Sequence, residues 1–218
     1  MTTQTHSERS GWPNLKRNLV AILRGLKPDE TAPIVEALCE AGFEAIEIPL
    51  NSPDPFQSIE IARKTAPSSC LIGAGTVLTT EQVQDLENAG GNLMVSPNVD
   101  PPVIAAASAK GMITMPGVFS PTEALAALAA GATALKFFPA SVLGPSGIKA
   151  ISAVLPPNTV IGAVGGVGDA DFEAYAKVGI STFGLGSSIY KPGCSAEFVA
   201  KRAKTTISAY DHVYLTSR

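Results

Sequence analysis

The chain has 218 residues, of which 45% are hydrophobic and 16% are charged, and its formal net charge is −3. This balance predicts one large folded domain or two small ones, and it favours a compact domain over a disordered chain. No basic block stands out, so we expect no nucleic-acid partner and no binding to a membrane surface.

A short apolar run followed by an amphipathic stretch rich in Ala, Leu and Glu recurs eight times along the chain. In chain order the apolar runs are LVAILR (19–24), EAIEIPL (44–50), CLIGAGT (70–76), NLMVSP (92–97), MITMPG (112–117), ATALKFF (132–138), TVIGAVGG (159–166) and TFGLGSS (182–188). The stretches between them carry helix signals. Ser120 is a predicted N-cap with Glu123 three residues on, and Gly131 is a predicted C-terminal stop.

Eight strand–helix alternations predict a parallel sheet covered by helices, in the α/β class. A closed (β/α)₈ TIM barrel is the economical arrangement for eight units of roughly 20–27 residues. A doubly wound open sheet is the alternative, which the count of eight disfavours. In such a barrel the active site lies at the C-terminal ends of the strands.

The period of two along a strand aims three ionisable side chains into one barrel mouth: Arg24, Glu47 and Lys136. Each could be part of a structural ion pair, but perturbed ionisable groups at one place favour a functional site. Desolvation, or a nearby cation such as Arg24, lowers the pKa of an amine, so Lys136 can attack a ketone and form a Schiff base. Glu47 can then move the protons that this chemistry requires.

The two histidines, His6 and His212, lie near the ends of the chain and outside the eight units. A His-ligated metal site and a Ser–His or Cys–His nucleophile pair inside the barrel are therefore not expected. We predict no metal and no cofactor.

The three cysteines are widely scattered and lack metal-ligand spacing, which is typical of reduced thiols in the cytosol. The first 18 residues lack the apolar core of a signal peptide, and no later run is apolar and long enough to span a bilayer. We therefore expect a cytoplasmic protein. Residues 1–17 are interpreted as a polar extension and residues 18–218 as a single domain.

Glycines follow the seventh and eighth predicted strands, where barrels of this class frequently bind phosphate. The predicted phosphate ligands are Gly165, Gly166, Gly186 and Ser187, because glycine lets backbone N–H groups approach an anion closely. The alternative is that these glycines only permit tight turns.

Gly75 and Thr76 end the third predicted strand and offer a backbone amide and a hydroxyl to a carboxylate or hydroxyl of a substrate. The alternative role for Thr76 is to cap the turn that follows.

The motifs ILRG, EAIEIPLNSP, IGAGTV, VSPN, MPGVFSPTEA, ALKFFPA, GAVGGV and GLGSSIY, in this order, resemble those of the bacterial aldolases that cleave 2-keto-3-deoxy-6-phosphosugar acids. The resemblance covers residues 18 to about 190. It implies a metal-independent homotrimer acting on a phosphorylated keto-deoxy sugar acid. It further implies that Lys136 forms the Schiff base and Glu47 donates and accepts protons. The implied substrate contacts are Arg24, Thr76, Gly166 and Ser187, with Gly165 and Gly186 completing a phosphate cradle.

Two positions resemble the branch of this family that acts on 6-phosphogalactonate derivatives. The gluconate branch typically has an arginine where this chain has Asn51, and a threonine where it has Val164. We therefore expect cleavage of 2-dehydro-3-deoxy-6-phospho-D-galactonate to pyruvate and D-glyceraldehyde 3-phosphate. The alternatives are an aldolase for the gluconate epimer or 4-hydroxy-2-oxoglutarate, a phosphosugar isomerase or epimerase that uses Glu47 as a base, and a barrel that only binds a phosphorylated ligand.

Overall fold

Parallel strands alternate with helices through residues 11–216, the part of the chain that the computed structural model describes. The strands are β1 (Leu19–Ile22), β2 (Ala45–Pro49), β3 (Leu71–Gly75), β4 (Leu93–Val95), β5 (Ile113–Met115), β6 (Gly117–Val118), β7 (Ala134–Phe137), β8 (Val160–Val164) and β9 (Thr182–Leu185). The helices are α1 (Pro28–Ala41), α2 (Pro55–Thr65), α3 (Thr80–Asn88), α4 (Pro101–Ala109), α5 (Pro121–Ala129), α6 (Ala140–Ser152), α7 (Phe172–Ala176) and α8 (Ala196–Tyr214).

The strands form one sheet in the order β5-β4-β3-β2-β1-β9-β8-β7-β6, and every paired neighbour is parallel. Its two edge strands, β5 and β6, are the halves of the predicted fifth strand, which Pro116 interrupts because proline has no N–H to donate. The carbonyl of Pro116 still accepts a hydrogen bond from the Lys136 N–H at 2.9 Å. The sheet is thus a nearly closed barrel, and the (β/α)₈ prediction is confirmed over the doubly wound alternative.

The side-chain alternation separates two cores, one inside the barrel and one between the barrel and its helices. Val20 and Ala45 belong to the inner core, whereas Ile46, Leu135 and Phe137 belong to the outer core. This is the register that the period of two predicts, and it leaves Glu47 and Lys136 facing inward.

The N-terminal end of the barrel is covered by residues that precede β1. Trp12 and Leu15 pack against the inner core, and the Trp12 Nε1–H donates to Asn18 Oδ1 at 3.0 Å. The predicted boundary at residue 18 stays a prediction, and residues 1–10 of the predicted extension lie outside the described residues.

The predicted start of α5 is confirmed. The Glu123 N–H donates to Ser120 Oγ at 3.3 Å, and Glu123 Oε2 accepts from the Ser120 N–H at 2.8 Å, which is a capping box. Gly131, two residues after the helix ends, has a φ of 104°. None of the helices in residues 11–216 has the length and hydropathy needed to cross a membrane.

Candidate active site

A cavity of about 170 Å³ opens at the C-terminal ends of β1, β2, β7, β8 and β9. Active sites of parallel barrels are built at this end. Seven of the nine predicted site residues line it: Arg24, Glu47, Lys136, Gly165, Gly166, Gly186 and Ser187. The rest of the wall is formed by Ile22, Phe138, Val164, Val167 and Gly184.

Lys136 is a buried amine that points into this cavity from β7. It is only 6% exposed, and its register partners on the two adjacent strands are Gly117 and Gly162, which have no side chains. Burial is the main cause that lowers the pKa of Lys136, while the Glu47 carboxyl opposes this shift and Arg24 adds to it. The lowered pKa increases the fraction of the neutral, nucleophilic amine at a given pH.

Glu47 points inward from β2 and is only 2% exposed. Its Oε2 atom is buried and has no hydrogen-bond partner among the described residues. Burial raises the pKa of Glu47 to about 7, against the opposing charges of Lys136 and Arg24. Ion pairs occur elsewhere in residues 11–216, but none joins Glu47 to Lys136 or Arg24, so the structural ion-pair interpretation is not supported.

Arg24 follows β1 at the mouth of the cavity and is exposed. Its Nη1–H donates to Asn51 Oδ1 at 2.5 Å. Asn51 comes from the loop after β2, so this hydrogen bond joins the ends of two neighbouring strands.

The loop after β8 brings the predicted phosphate ligands Gly165 and Gly166 to the cavity in left-handed conformations, with φ values of 91° and 72°. A Cβ on Gly166 would lie 2.6 Å from Ser141 Oγ, and a Cβ on Gly165 would lie 2.9 Å from the Phe138 ring. Both positions therefore require glycine for the turn itself, so their role in binding phosphate stays a prediction.

Gly186, after β9, differs from this pair. Its φ is not in the left-handed region, and an added Cβ would meet only Ile22, at 3.9 Å. The conformation of the turn therefore does not require glycine at position 186. Because glycine has no side chain, the backbone of this loop faces the cavity directly.

Gly75 and Thr76 do not line the cavity. Gly75 is buried beside Glu47, and Thr76 is half-buried with a φ of 58°. The cap of α3 is Thr79, whose side chain accepts from the Gln82 N–H at 3.2 Å, so Thr76 does not cap that helix. Their roles as substrate ligands stay predictions.

The model of the family described as KDPG and KHG aldolase matches residues 14–202. The chain belongs to this aldolase family. The resemblance predicted from the motifs is confirmed, and the protein is a carbon–carbon lyase.

Named relatives extend the similarity over almost the whole aldolase. A probable 2-dehydro-3-deoxy-6-phosphogalactonate aldolase of Rhizobium meliloti (strain 1021) is 66% identical over 207 residues, which are 95% of this chain and 98% of that protein. The 2-dehydro-3-deoxy-6-phosphogalactonate aldolase of Escherichia coli (strain K12) is 47% identical over 195 residues, 89% of this chain and 95% of that protein. A solved native KDPGal structure has a TM-score of 0.90 at 45% identity and covers 93% of this chain and 98% of its own.

The two branch positions of the aldolase both lie at the site. Val164 ends β8 and lines the cavity, and Asn51 binds Arg24 at the mouth. The residues described contain no group of three His, Cys, Asp or Glu side chains placed to hold a metal ion, and His6 lies outside them.

Two residues at or beside the site, Phe138 and Ser141, are not among those predicted from the sequence. Phe138 lies two positions after Lys136 and its ring centroid is 4.9 Å from the Lys136 Nζ, so the period of two could have found it. Ser141 donates its N–H to the Gly165 carbonyl at 3.0 Å and braces the glycine loop. That contact joins the first turn of α6 to the loop after β8, and no local sequence pattern predicts it.

Proposed function

We propose that this aldolase is a Schiff-base enzyme that cleaves 2-dehydro-3-deoxy-6-phospho-D-galactonate to pyruvate and D-glyceraldehyde 3-phosphate. The observation that carries the proposal is a buried amine and a buried carboxyl in one cavity, with the pKa of Lys136 lowered and that of Glu47 raised to about 7. An uncharged amine can attack a ketone, and a carboxyl that titrates near neutrality can both accept and return a proton.

The first step joins the substrate to Lys136. The neutral Nζ attacks the C2 ketone to give a carbinolamine. Glu47, as the carboxylic acid, gives its proton to the departing hydroxyl, which leaves as water, and the iminium forms while Glu47 becomes a carboxylate. Burial lowers the pKa of the amine and so limits its protonation before the attack.

The second step breaks the C3–C4 bond. Glu47, as a carboxylate, takes the proton of the C4 hydroxyl, directly or through a water, while the bond electrons pass into the iminium to form an enamine. D-Glyceraldehyde 3-phosphate leaves. Glu47 then returns the proton to C3, and water hydrolyses the iminium to release pyruvate and the free amine.

Substrate binding is assigned to the rim of the cavity. Gly165, Gly166, Gly186 and Ser187 hold the phosphate through backbone N–H groups and a hydroxyl. Arg24 contacts the substrate from the end of β1. Thr76, with neighbouring amides, binds the carboxylate of the substrate. Because Thr76 does not line the cavity, this contact requires the bound substrate to extend beyond the residues that line it.

The choice of the galactonate epimer rests on Val164 and Asn51 and on the names of the two relatives that are 66% and 47% identical. Both relatives are called 2-dehydro-3-deoxy-6-phosphogalactonate aldolases, and each match covers at least 89% of this chain. An apolar Val164 side chain at the end of β8 offers the sugar no hydrogen bond there, whereas a threonine would.

The proposal is tested by measuring kcat/KM for the two C4 epimers in a coupled assay for pyruvate. We expect the galactonate epimer to be cleaved with the higher kcat/KM. A higher value for the gluconate epimer or for 4-hydroxy-2-oxoglutarate would assign the enzyme to the other branch. Interconversion of phosphosugars without pyruvate would indicate an isomerase, and binding without any turnover would indicate a binding barrel.

The proposal includes a cytoplasmic homotrimer. The trimer is what the family resemblance implies, and exposed apolar side chains on or next to α6, such as Val142 and Val154, are available for a contact between subunits. Sedimentation equilibrium should give three times the chain mass of 22.4 kDa. A monomer or dimer mass would reject the trimer.

A further inference from the structure

The carboxyl group of Glu47 occupies the space in which a side chain at position 75 would lie. An ideal Cβ built on Gly75 would be 2.5 Å from Glu47 Cδ and 2.6 Å from Oε1, and still closer to Oε2. All three of its nearest neighbours belong to this carboxyl. Any residue other than glycine would therefore displace the group.

The backbone does not otherwise require glycine at this position. Gly75 is the last residue of β3, pairs in register with Pro49 of β2, and its φ lies outside the left-handed region. Gly73, on the same strand, is different, because its added Cβ would overlap the Leu93 carbonyl, 2.6 Å from the carbon. Gly73 is explained by backbone packing, whereas Gly75 is explained by Glu47.

The space left by the absent side chain of Gly75 allows the Glu47 carboxyl to lie against the barrel wall. Oε2 is buried there without a hydrogen-bond partner among the described residues. The charged groups that face Glu47 are Lys136 from β7 and Arg24 from the end of β1, and β3 contributes no titratable side chain. Neither cation forms an ion pair with it among the described residues, although all three side chains line the same cavity.

We propose that Gly75 is a positioning residue for the aldolase reaction. Because it has no side chain, the Glu47 carboxyl can lie against the barrel wall at this position and does not form an ion pair with Lys136. This inference rests on the proposed function for its catalytic consequence. An ion pair would stabilise the charged forms of both groups, which are a protonated, non-nucleophilic amine and a carboxylate that accepts a proton less readily. The methyl group of Gly75→Ala would push the carboxyl further into the cavity, towards both cations and water.

Gly75→Ala is expected to fold, because the atoms in its way are the end of a flexible side chain. Its kcat should fall by a factor on the order of 10–100, the cost of a displacement of about 1 Å in a catalytic group. The pH at which Glu47 titrates, followed by infrared difference spectroscopy against Glu47→Gln, should move below that of the wild type. The matched control is Gly147→Ala in α6, where an added Cβ makes only ordinary contacts of 3.6 Å.

Double variants separate positioning from a general structural effect. In a Glu47→Gln background, Gly75→Ala should lower kcat by less than about twofold, because the displaced group no longer transfers protons. If Gly75→Ala folds poorly, Glu47→Ala should restore its Tm, since the added methyl then fits the vacated space. Equal losses of kcat in both backgrounds, or no restoration by Glu47→Ala, would overturn the inference.

The infrared titration does not depend on turnover. A wild-type protein without aldolase activity whose Glu47 titration still shifts in Gly75→Ala would refute the proposed function and leave the positioning contact standing. An active wild type with an unshifted Glu47 titration in Gly75→Ala would refute the positioning role of Gly75 and leave the proposed function standing.

Discussion

The Nζ atom of Lys136 lies 4.9 Å from the centroid of the Phe138 ring. The face of an aromatic ring attracts positive charge. In the proposed mechanism this attraction would stabilise the positively charged iminium at Lys136.

Replacing Phe138 with leucine removes the ring face but keeps an apolar side chain. We expect Phe138→Leu to lower kcat/KM by about two- to fivefold, since a cation–π contact contributes about 0.5–1 kcal/mol. Phe138→Tyr, which retains the ring, should keep the wild-type value. Steady-state kinetics of the three proteins check this, and equal losses in both variants would show that the ring face does not contribute.

Lys136→Met should remove turnover and leave the fold intact. Methionine fills a similar volume, and it replaces a buried amine that has no ion-pair partner among the described residues, so the Tm should be unchanged or higher. Lys149→Met, on the exposed side of α6, is the matched control and should keep full activity. Normal turnover in Lys136→Met would refute the covalent mechanism.

Glu47→Gln should slow proton transfer without preventing imine formation at Lys136. A glutamine keeps the shape of the buried group but cannot exchange a proton at neutral pH. We expect kcat to fall by a factor on the order of 10²–10⁴, the usual contribution of a general acid–base group. If the variant instead unfolds, Glu47 is a structural residue.

The same variant predicts a pH effect on stability. Because burial raises the pKa of Glu47 from 4.5 to about 7, its contribution to stability is fully present below pH 4.5 and is lost as the pH rises through 7. As the pH rises between these limits, the free energy of unfolding of Glu47→Gln should therefore increase by up to about 3 kcal/mol relative to that of the wild type. Urea unfolding at pH 4.5 and 8 measures the difference, with the exposed Glu60→Gln as a control that should follow the wild type. A difference that does not change with pH would mean that the buried carboxyl does not titrate there.

Much of the site follows from local geometry. A strand has a fixed period of two, so Arg24, Glu47 and Lys136 could be aimed into one mouth from three separate strands. Phe138 obeys the same rule and was overlooked. The fifth predicted strand was drawn as continuous, although the missing N–H of Pro116 divides it into β5 and β6.

The contacts that could not be predicted join side chains from different units. The overlap between Glu47 and Gly75 depends on the register of β2 against β3, and the Arg24–Asn51 hydrogen bond depends on the paths of two loops. No local pattern encodes either distance. For this reason the sequence suggested Gly75 as a substrate ligand, whereas the structure places it against the carboxyl of Glu47.

Val164→Thr should shift the enzyme towards the gluconate epimer. The new hydroxyl lines the cavity and can donate one hydrogen bond to the sugar, which contributes about 0.5–1.5 kcal/mol, or roughly a two- to twelvefold change in the ratio of kcat/KM values. Val160→Thr makes the same change earlier on β8, away from the cavity, and should leave the ratio unchanged. An unchanged ratio in Val164→Thr would remove this residue as the selector.

The most direct test of the central claim is to incubate the aldolase with pyruvate and borohydride and to map the adduct by mass spectrometry. Borohydride reduces the imine to a stable amine, which marks the lysine that formed it. We predict a single adduct on Lys136, absent from Lys136→Met and retained in Glu47→Gln. An unmodified Lys136 in a protein that still cleaves its substrate would contradict the Schiff-base mechanism.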